Sequence, residues 1–125
     1  MKKKLSLKKL KKKADDIYSK KLRLKFSDDN GNVKCFTCST IKNWKEIQCG
    51  HYITRKITIL RYDPRNTRPQ CVGCNMFNQG RLDVFAFNLV REYGSSILEE
   101  LQLLKLKTLT GRETRELLEE IINNP

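Results

Sequence analysis

Two Cys-x2-Cys knuckles constrain this chain more than any other feature. Cys35-Phe36-Thr37-Cys38 and Cys71-Val72-Gly73-Cys74 stand 32 residues apart. Four thiolates complete the tetrahedral shell of a Zn²⁺ ion, and a two-residue gap lets both sulfurs of a knuckle reach one metal at about 2.3 Å. The span between the knuckles exceeds the roughly 15–20 residues of the commonest zinc-ribbon spacing, which leaves room for a β-hairpin and a functional loop. Structural disulfides or ordinary buried cysteines are the alternative. The cysteine count is five, an odd number, and no apolar segment follows the basic N-terminus, so no secretory signal is expected. Both points favour structural Zn²⁺ on Cys35, Cys38, Cys71 and Cys74. Metal binding would then supply folding energy to a small core.

A core of that kind is compatible with a chain of 125 residues that is 38% hydrophobic, a composition that argues against wholesale disorder. No stretch approaches the roughly 20 uninterrupted apolar residues of a membrane span, so a non-membrane, cytoplasmic protein is expected. The formal net charge of +12 implies a polyanionic partner, and its distribution is uneven. Residues 1–25 carry 12 basic and 2 acidic side chains, residues 26–81 carry 9 and 4, and residues 82–125 carry 5 and 8. The first two-thirds would therefore meet the polyanion, leaving the mildly acidic tail for packing or assembly.

Hydrophobic periodicity predicts an α+β chain read as one domain over 1–125: a basic helix or arm over 1–30, a cysteine-bearing core over 31–81 and about three helices over 82–125. Leu7, Leu10, Ala14, Ile17 and Leu24 recur at helical spacing in the arm, whose first dozen residues should fray in isolation because lysines crowd its surface. The cluster Ser27-Asp28-Asp29-Asn30-Gly31-Asn32 should end that helix. Val84, Phe85, Leu89 and Tyr93 form a further face, with Gly94 as its stop. Ser96 with Glu99 and Thr110 with Glu113 each read as a capping box opening a helix.

Cys49 is left over from the knuckles and reads as a small buried hydrophobe. A nucleophilic thiol would need a base, and His51 would share its side only in a strand. His51, the single histidine, lies in Gln48-Cys49-Gly50-His51-Tyr52-Ile53 and precedes a basic stretch with Arg55, Lys56, Arg61, Arg65 and Arg68. Asn66 comes five residues before Cys71, and Asn75 follows Cys74 directly. A histidine that titrates near neutrality, set beside a phosphate-binding surface, meets the requirement for activating water against a phosphodiester.

Two knuckles, a Gly-His between them, one asparagine upstream of the second knuckle and another just after it resemble an HNH (ββα-metal) nuclease module. More narrowly, Asn43-Trp44-Lys45-Glu46, Cys49-Gly50-His51-Tyr52-Ile53, Arg55, Arg61-Tyr62-Asp63-x-Arg65-Asn66, Gln70-Cys71-x2-Cys74-Asn75 and Gly80 resemble the phage NinG (Rap) recombination-protein family. With Tyr93-Gly94 and the helices beyond, the likeness runs over roughly residues 14–122. It implies a zinc-bound treble clef: a β-hairpin carrying the histidine, then a helix starting at the second knuckle. It also implies a metal-dependent endonuclease of phage recombination, acting on branched DNA such as Holliday junctions and D-loops in the host cytoplasm.

Carried over by position, His51 matches the general base, Asn66 the asparagine that braces the histidine loop, and Asn75 a helix residue that helps hold Mg²⁺ or Mn²⁺. Phage endonuclease VII likewise has asparagine straight after its second knuckle. One departure stands out. Where many HNH nucleases place an acidic metal ligand before the base, this chain has Gly50, so hard oxygen ligands must come from elsewhere. Asp63 is the nearest acidic candidate in the insert; alternatively His51 is itself a ligand. Arg55, Lys56, Arg61, Arg65 and Arg68 are the candidate grips on backbone phosphates. Cutting both sides of a four-way junction needs two active sites, hence an expected homodimer through the C-terminal helices, where Leu101, Leu103, Leu104 and Leu106 exceed what one helix face can bury; the alternative is that these helices only cap the zinc module. Two rival classes remain: a non-catalytic zinc-knuckle DNA-binding protein, and a zinc module that recruits a protein through the acidic tail.

Overall fold

The computed structural model describes residues 4–124. Its first element is α1 (Leu7–Lys25), which starts at Ser6, whose side chain accepts from the Lys9 N–H. The lysine-rich first turns do not fray here, because Leu10 and Ala14 of α1 pack with Leu118 of the last helix and with Tyr62. Tertiary burial outweighs the like-charge penalty, which is only a few tenths of a kcal/mol per pair. Asp28 then turns the chain by accepting from the N–H groups of Asn30 and Asn32, both at 2.9 Å.

Two short antiparallel ribbons form the middle. Strand β1 (Asn32–Lys34) pairs with β2 (Ile41–Asn43), and β3 (Gln48–His51) pairs with β4 (Thr67–Gln70). The first ribbon holds the first knuckle at its tip. The second carries His51 on one strand and leads straight from Gln70 into Cys71 of the second knuckle. Between β3 and β4 runs a loop containing the single-turn helix α2 (Thr58–Arg61). Beyond Cys71 the chain forms a wide turn over Gly73–Phe77 and a tight one over Gln79–Arg81, where Gln79, Gly80 and Arg81 all have positive φ.

Three helices follow: α3 (Leu82–Tyr93), α4 (Ile97–Lys105) and α5 (Gly111–Asn123). Gly94, at φ +99°, ends α3 as its position implied. Thr110 and Glu113 make the reciprocal capping box of α5, whereas Ser96 caps nothing and its hydroxyl lies 3.4 Å from Glu100 instead. Ile53, Leu60, Phe85, Leu89, Ile97 and Leu101 form one apolar core, joining the loop between β3 and β4 to α3 and α4. The expected α+β mixture is therefore present, with helices at both ends and small sheets between them. Among the described residues no helix is long and apolar enough to cross a membrane.

Candidate functional site

The two knuckles converge. The sulfurs of Cys35, Cys38, Cys71 and Cys74 all lie within 4.8 Å of one another. Four ligands at about 2.3 Å from a tetrahedral zinc sit about 3.8 Å apart, and Cys38 Sγ to Cys71 Sγ is 3.6 Å. The donor set and its dimensions fit a zinc ion. Backbone amides aim at the same sulfurs: the Cys71 N–H donates to Cys35 Sγ at 3.3 Å and the Cys74 N–H to Cys71 Sγ at 3.4 Å. Such bonds favour the thiolate form that a metal requires.

His51 lies at the end of β3, opposite Thr67 and away from the Gln48–Gln70 pair that adjoins the second knuckle, and lines a cleft of about 800 Å³ walled by α1, β3 and the turns after Cys74. Strand alternation puts His51 and Thr67 on one face of the ribbon, and α1 covers that face, with Tyr18 Oη 2.7 Å from Thr67 Oγ1. His51 Nε2 lies 2.9 Å from the carbonyl oxygen of Arg61. A carbonyl only accepts, so Nε2 carries the proton and Nδ1 keeps its lone pair. Burial pushes the imidazole below its ordinary 6.5; the Arg61 carbonyl opposes that shift, and the Arg61 and Arg55 cations add to it. His51 is thus a neutral base at physiological pH.

The loop that supplies the Arg61 carbonyl is organised by Asn66, which is completely buried. Its Oδ1 accepts from the Ile53 N–H at 2.8 Å, and its Nδ2 donates to the carbonyls of Ile53 at 2.9 Å and Leu60 at 3.1 Å. One side chain thereby closes the 13-residue excursion between Ile53 and Asn66. Asn75 lines the His51 cleft. Its Nδ2 donates to Gln48 Oε1 at 2.8 Å, and Asn75 Oδ1 has no partner among the described residues.

Asp63 lies outside the cleft lining. Its carboxylate receives the Arg65 N–H at 2.9 Å and both ends of the Arg65 guanidinium, at 3.2 and 2.9 Å. Arg65 also reaches Glu100 at 3.6 Å. The acidic residues that do line the cleft are Asp15 and Asp16 of α1, which sequence reading left inside a basic arm. Asp15 is engaged: Arg61 grips it through Nε at 2.7 Å and Nη2 at 2.5 Å, and Tyr62 Oη donates at 2.7 Å. Although burial works the other way, these partners hold its carboxyl below the usual range. Asp16 is exposed and has no ion pair among the described residues. Their helical position gave no signal, because the contact between α1 and β3 is long-range.

The candidate phosphate grips separate in the same way. Arg55 and Lys56 are exposed, and Arg55 lines the cleft. Arg61 and Arg65 are committed to carboxylates. Arg68 is 3% exposed; it stacks near Phe26, Phe36 and Tyr93 at 5.3, 5.5 and 5.3 Å, and pairs with Glu92 at 3.0 Å. It is an interior residue and offers no outward grip. Cys49 lines the cleft, but burial pushes its thiol up to about 12, so it is no nucleophile at neutral pH.

Gly50 has a local cause. A Cβ at that position would lie 1.9 Å from Gln70 Oε1 and 2.6 Å from Gln70 Cδ. Gln70 is fully buried and donates from Nε2 to Thr37 Oγ1 at 3.0 Å and to the Gly80 carbonyl at 2.7 Å. It ties the second ribbon to the first knuckle and to the turn at Gly80, and it fills the space that a side chain at position 50 would need.

The family model described as Bacteriophage Lambda NinG protein matches residues 1–124. Among characterised relatives, protein ninG of Escherichia phage 933W and that of Salmonella phage P22 are each 31% identical over 72 residues. Protein ninG of Escherichia phage lambda is 29% identical over the same length. Each alignment takes in 57% of this chain and 35% of the relative, so the chain spans about a third of the length of the curated relatives it matches. No solved structure matches.

Proposed function

The chain belongs to the NinG family of bacteriophage proteins, and from that premise we propose that it is a metal-dependent endonuclease of phage recombination, cutting branched DNA such as Holliday junctions and D-loops. The observation that carries the reading is His51: a neutral imidazole whose Nε2–H is fixed on the Arg61 carbonyl at 2.9 Å, on the wall of a cleft with Asp16, Asn75 and Arg55. Nδ1 then takes the proton of a water that attacks phosphorus in line with the 3′ oxygen. Asn66 acts as a positioning residue, because it holds the loop whose carbonyl orients the ring. Arg55 and Lys56 hold backbone oxygens without reading sequence.

Gly50 supplies no ligand, yet the cleft has hard oxygens in the Asp16 carboxylate and in Asn75 Oδ1, the donor type Mg²⁺ or Mn²⁺ takes. When bound there, the ion supplies charge stabilisation for the phosphate and the departing oxygen. Among the described residues only the four cysteines cluster tightly enough to enclose a metal with protein ligands alone. A cleft cation would therefore complete its shell with water and substrate oxygens, as Mg²⁺ commonly does. The cysteine cluster takes the structural zinc role in an HNH-like treble clef. Leu103 and Leu106, 61% and 79% exposed on and just beyond α4, provide the homodimer contact that paired cuts require.

The test incubates wild type and His51→Ala with a four-way junction and with linear duplex, with Mg²⁺ or Mn²⁺ added. Preferential, cation-dependent cleavage of the junction by wild type, lost in His51→Ala, is the expected result. Binding without cleavage by wild type would make the protein a non-catalytic DNA-binding module. Equal cleavage by both would remove His51 from the chemistry.

A further inference from the structure

Three cations converge on the chain's single tryptophan. Lys20 Nζ, Arg23 Cζ and Lys45 Nζ lie 5.9, 5.5 and 5.7 Å from the centre of the Trp44 ring. They come from two separate segments, α1 and the turn between β2 and β3, so the grouping is a product of the fold and not of a lysine run.

The platform is fixed. The Trp44 N–H donates to the Gly31 carbonyl at 2.8 Å, and the indole lies so close to Gly31 that a Cβ there would be 3.2 Å from its Cδ1. Arg23 is fixed too: its Nε donates to the carbonyl and the hydroxyl of Ser19, both at 3.1 Å, and its Nη1 to the Trp44 carbonyl at 2.9 Å. That accounting leaves the N–H groups of Arg23 Nη2 without a partner among the described residues. None of the three cations makes an ion pair among the described residues. Arg23 and Lys45 line the same cleft as His51. The nearby acids form no ion pair with them: Asp15 is committed to Arg61, and Asp16 and Glu46 have no ion pair among the described residues.

Each cation is attracted to the indole face, but the three repel one another, and the ring has no net charge with which to offset that. An anion does. We propose that Lys20, Arg23 and Lys45 around Trp44 form a phosphate-binding station that holds a DNA backbone phosphate beside the cleft that Arg23 and Lys45 line with His51, in addition to the basic loop of Arg55 and Lys56. The inference rests on the nuclease reading and specifies which surface the substrate strand crosses. Because Arg23, Lys45 and Arg55 all line one cleft with His51, a strand held by them would pass the histidine.

Trp44 is its own probe, since it is the only tryptophan. Wild type and the doubly substituted Lys20→Gln/Lys45→Gln protein are titrated with a four-way junction at several NaCl concentrations, with no divalent cation added. Binding is followed both by Trp44 emission and by the polarisation of labelled DNA. Both lysines are exposed, so the fold is retained, which circular dichroism checks. The expected result is a Trp44 emission change on binding by wild type. The double variant should lose at least tenfold in affinity at low salt, and its slope of log K against log[NaCl] should be shallower by about 1, the value for one phosphate contact. Lys20→Arg/Lys45→Arg should restore both. If wild type binds, and cleaves once Mg²⁺ or Mn²⁺ is added in a separate incubation, while the Gln variant keeps the wild-type slope and affinity, this inference fails and the nuclease reading stands. Emission that responds to inorganic phosphate alone and not to the junction also overturns it. A wild type that does not bind DNA defeats the nuclease reading itself.

Discussion

Asn66→Ala tests the architecture of the histidine loop most directly. The substitution removes three hydrogen bonds, to the Ile53 N–H, the Ile53 carbonyl and the Leu60 carbonyl, in a residue with no exposure at all. Each such bond is worth about 1 kcal/mol net, and each buried group left unpaired costs about 1–3 kcal/mol. The loss should therefore be about 3–5 kcal/mol, a large part of the roughly 5–15 kcal/mol that holds a domain together. Asn66→Asp is the control of equal shape. It keeps the acceptor for Ile53 N–H but sets a carboxylate against two carbonyls, so it should be no more stable than the alanine variant. The assay is urea unfolding at a fixed free zinc concentration, because metal binding is linked to folding. Hydrogen exchange at the Ile53 amide reports the clamp itself. A loss below about 1 kcal/mol, with Ile53 still protected, would refute the view that one side chain closes this loop.

Three further outcomes are expected. Burial lowers the His51 pKa from 6.5, so the folded state binds fewer protons at this group than the unfolded chain, and stability falls as pH drops through and below 6.5. The acid limb of the cleavage pH profile should likewise lie below 6.5 and disappear in no condition where His51 is the base; a midpoint above 6.5 would contradict the burial argument. Metal analysis should give about one Zn²⁺ per chain for the tetracysteine site, and chelation or Cys71→Ser should unfold the core, whereas a folded metal-free protein would refute the zinc assignment. Arg68→Ala should cost about 3 kcal/mol through loss of an interior cation and its partners. In whatever fraction remains folded, the salt slope of DNA binding should be unchanged; a shallower slope would return Arg68 to the DNA surface.

The chain's spacing told what local chemistry can tell. The knuckles, the stop at Gly94 and the capping box at Thr110 follow from short-range rules, and the structure contains all three. Ser96–Glu99 has the same signature as Thr110–Glu113 yet forms no box, because α3 and α4 are joined so tightly that Ser96 is already helical, at φ −84° and ψ −8°. Leu24 matched the apolar spacing of α1 but is 41% exposed, while Leu22 is buried. The cleft was hidden for a different reason. His51 could be identified from its neighbours in sequence, but Asp16, Arg23 and Tyr18 reach it only because α1 folds back across the second ribbon. Arg61, Arg65 and Arg68 looked alike as letters, and only their partners Asp15, Asp63 and Glu92 separate them from Arg55, which has no ion pair among the described residues.

Gly50 and Gln70 occupy a single volume between them, and this links the fates of the two positions. An acidic side chain at position 50 cannot be added while Gln70 fills its space, and shortening Gln70 alone strips Thr37 and the Gly80 carbonyl of their donor. A carboxylate at position 50 only accepts and cannot replace that donor, so the two changes together still lose the bonds of Gln70. A lineage carrying glycine before its histidine is separated by a valley from one carrying an acid there. In such a lineage a carboxylate brought in from a distant helix is the easier step.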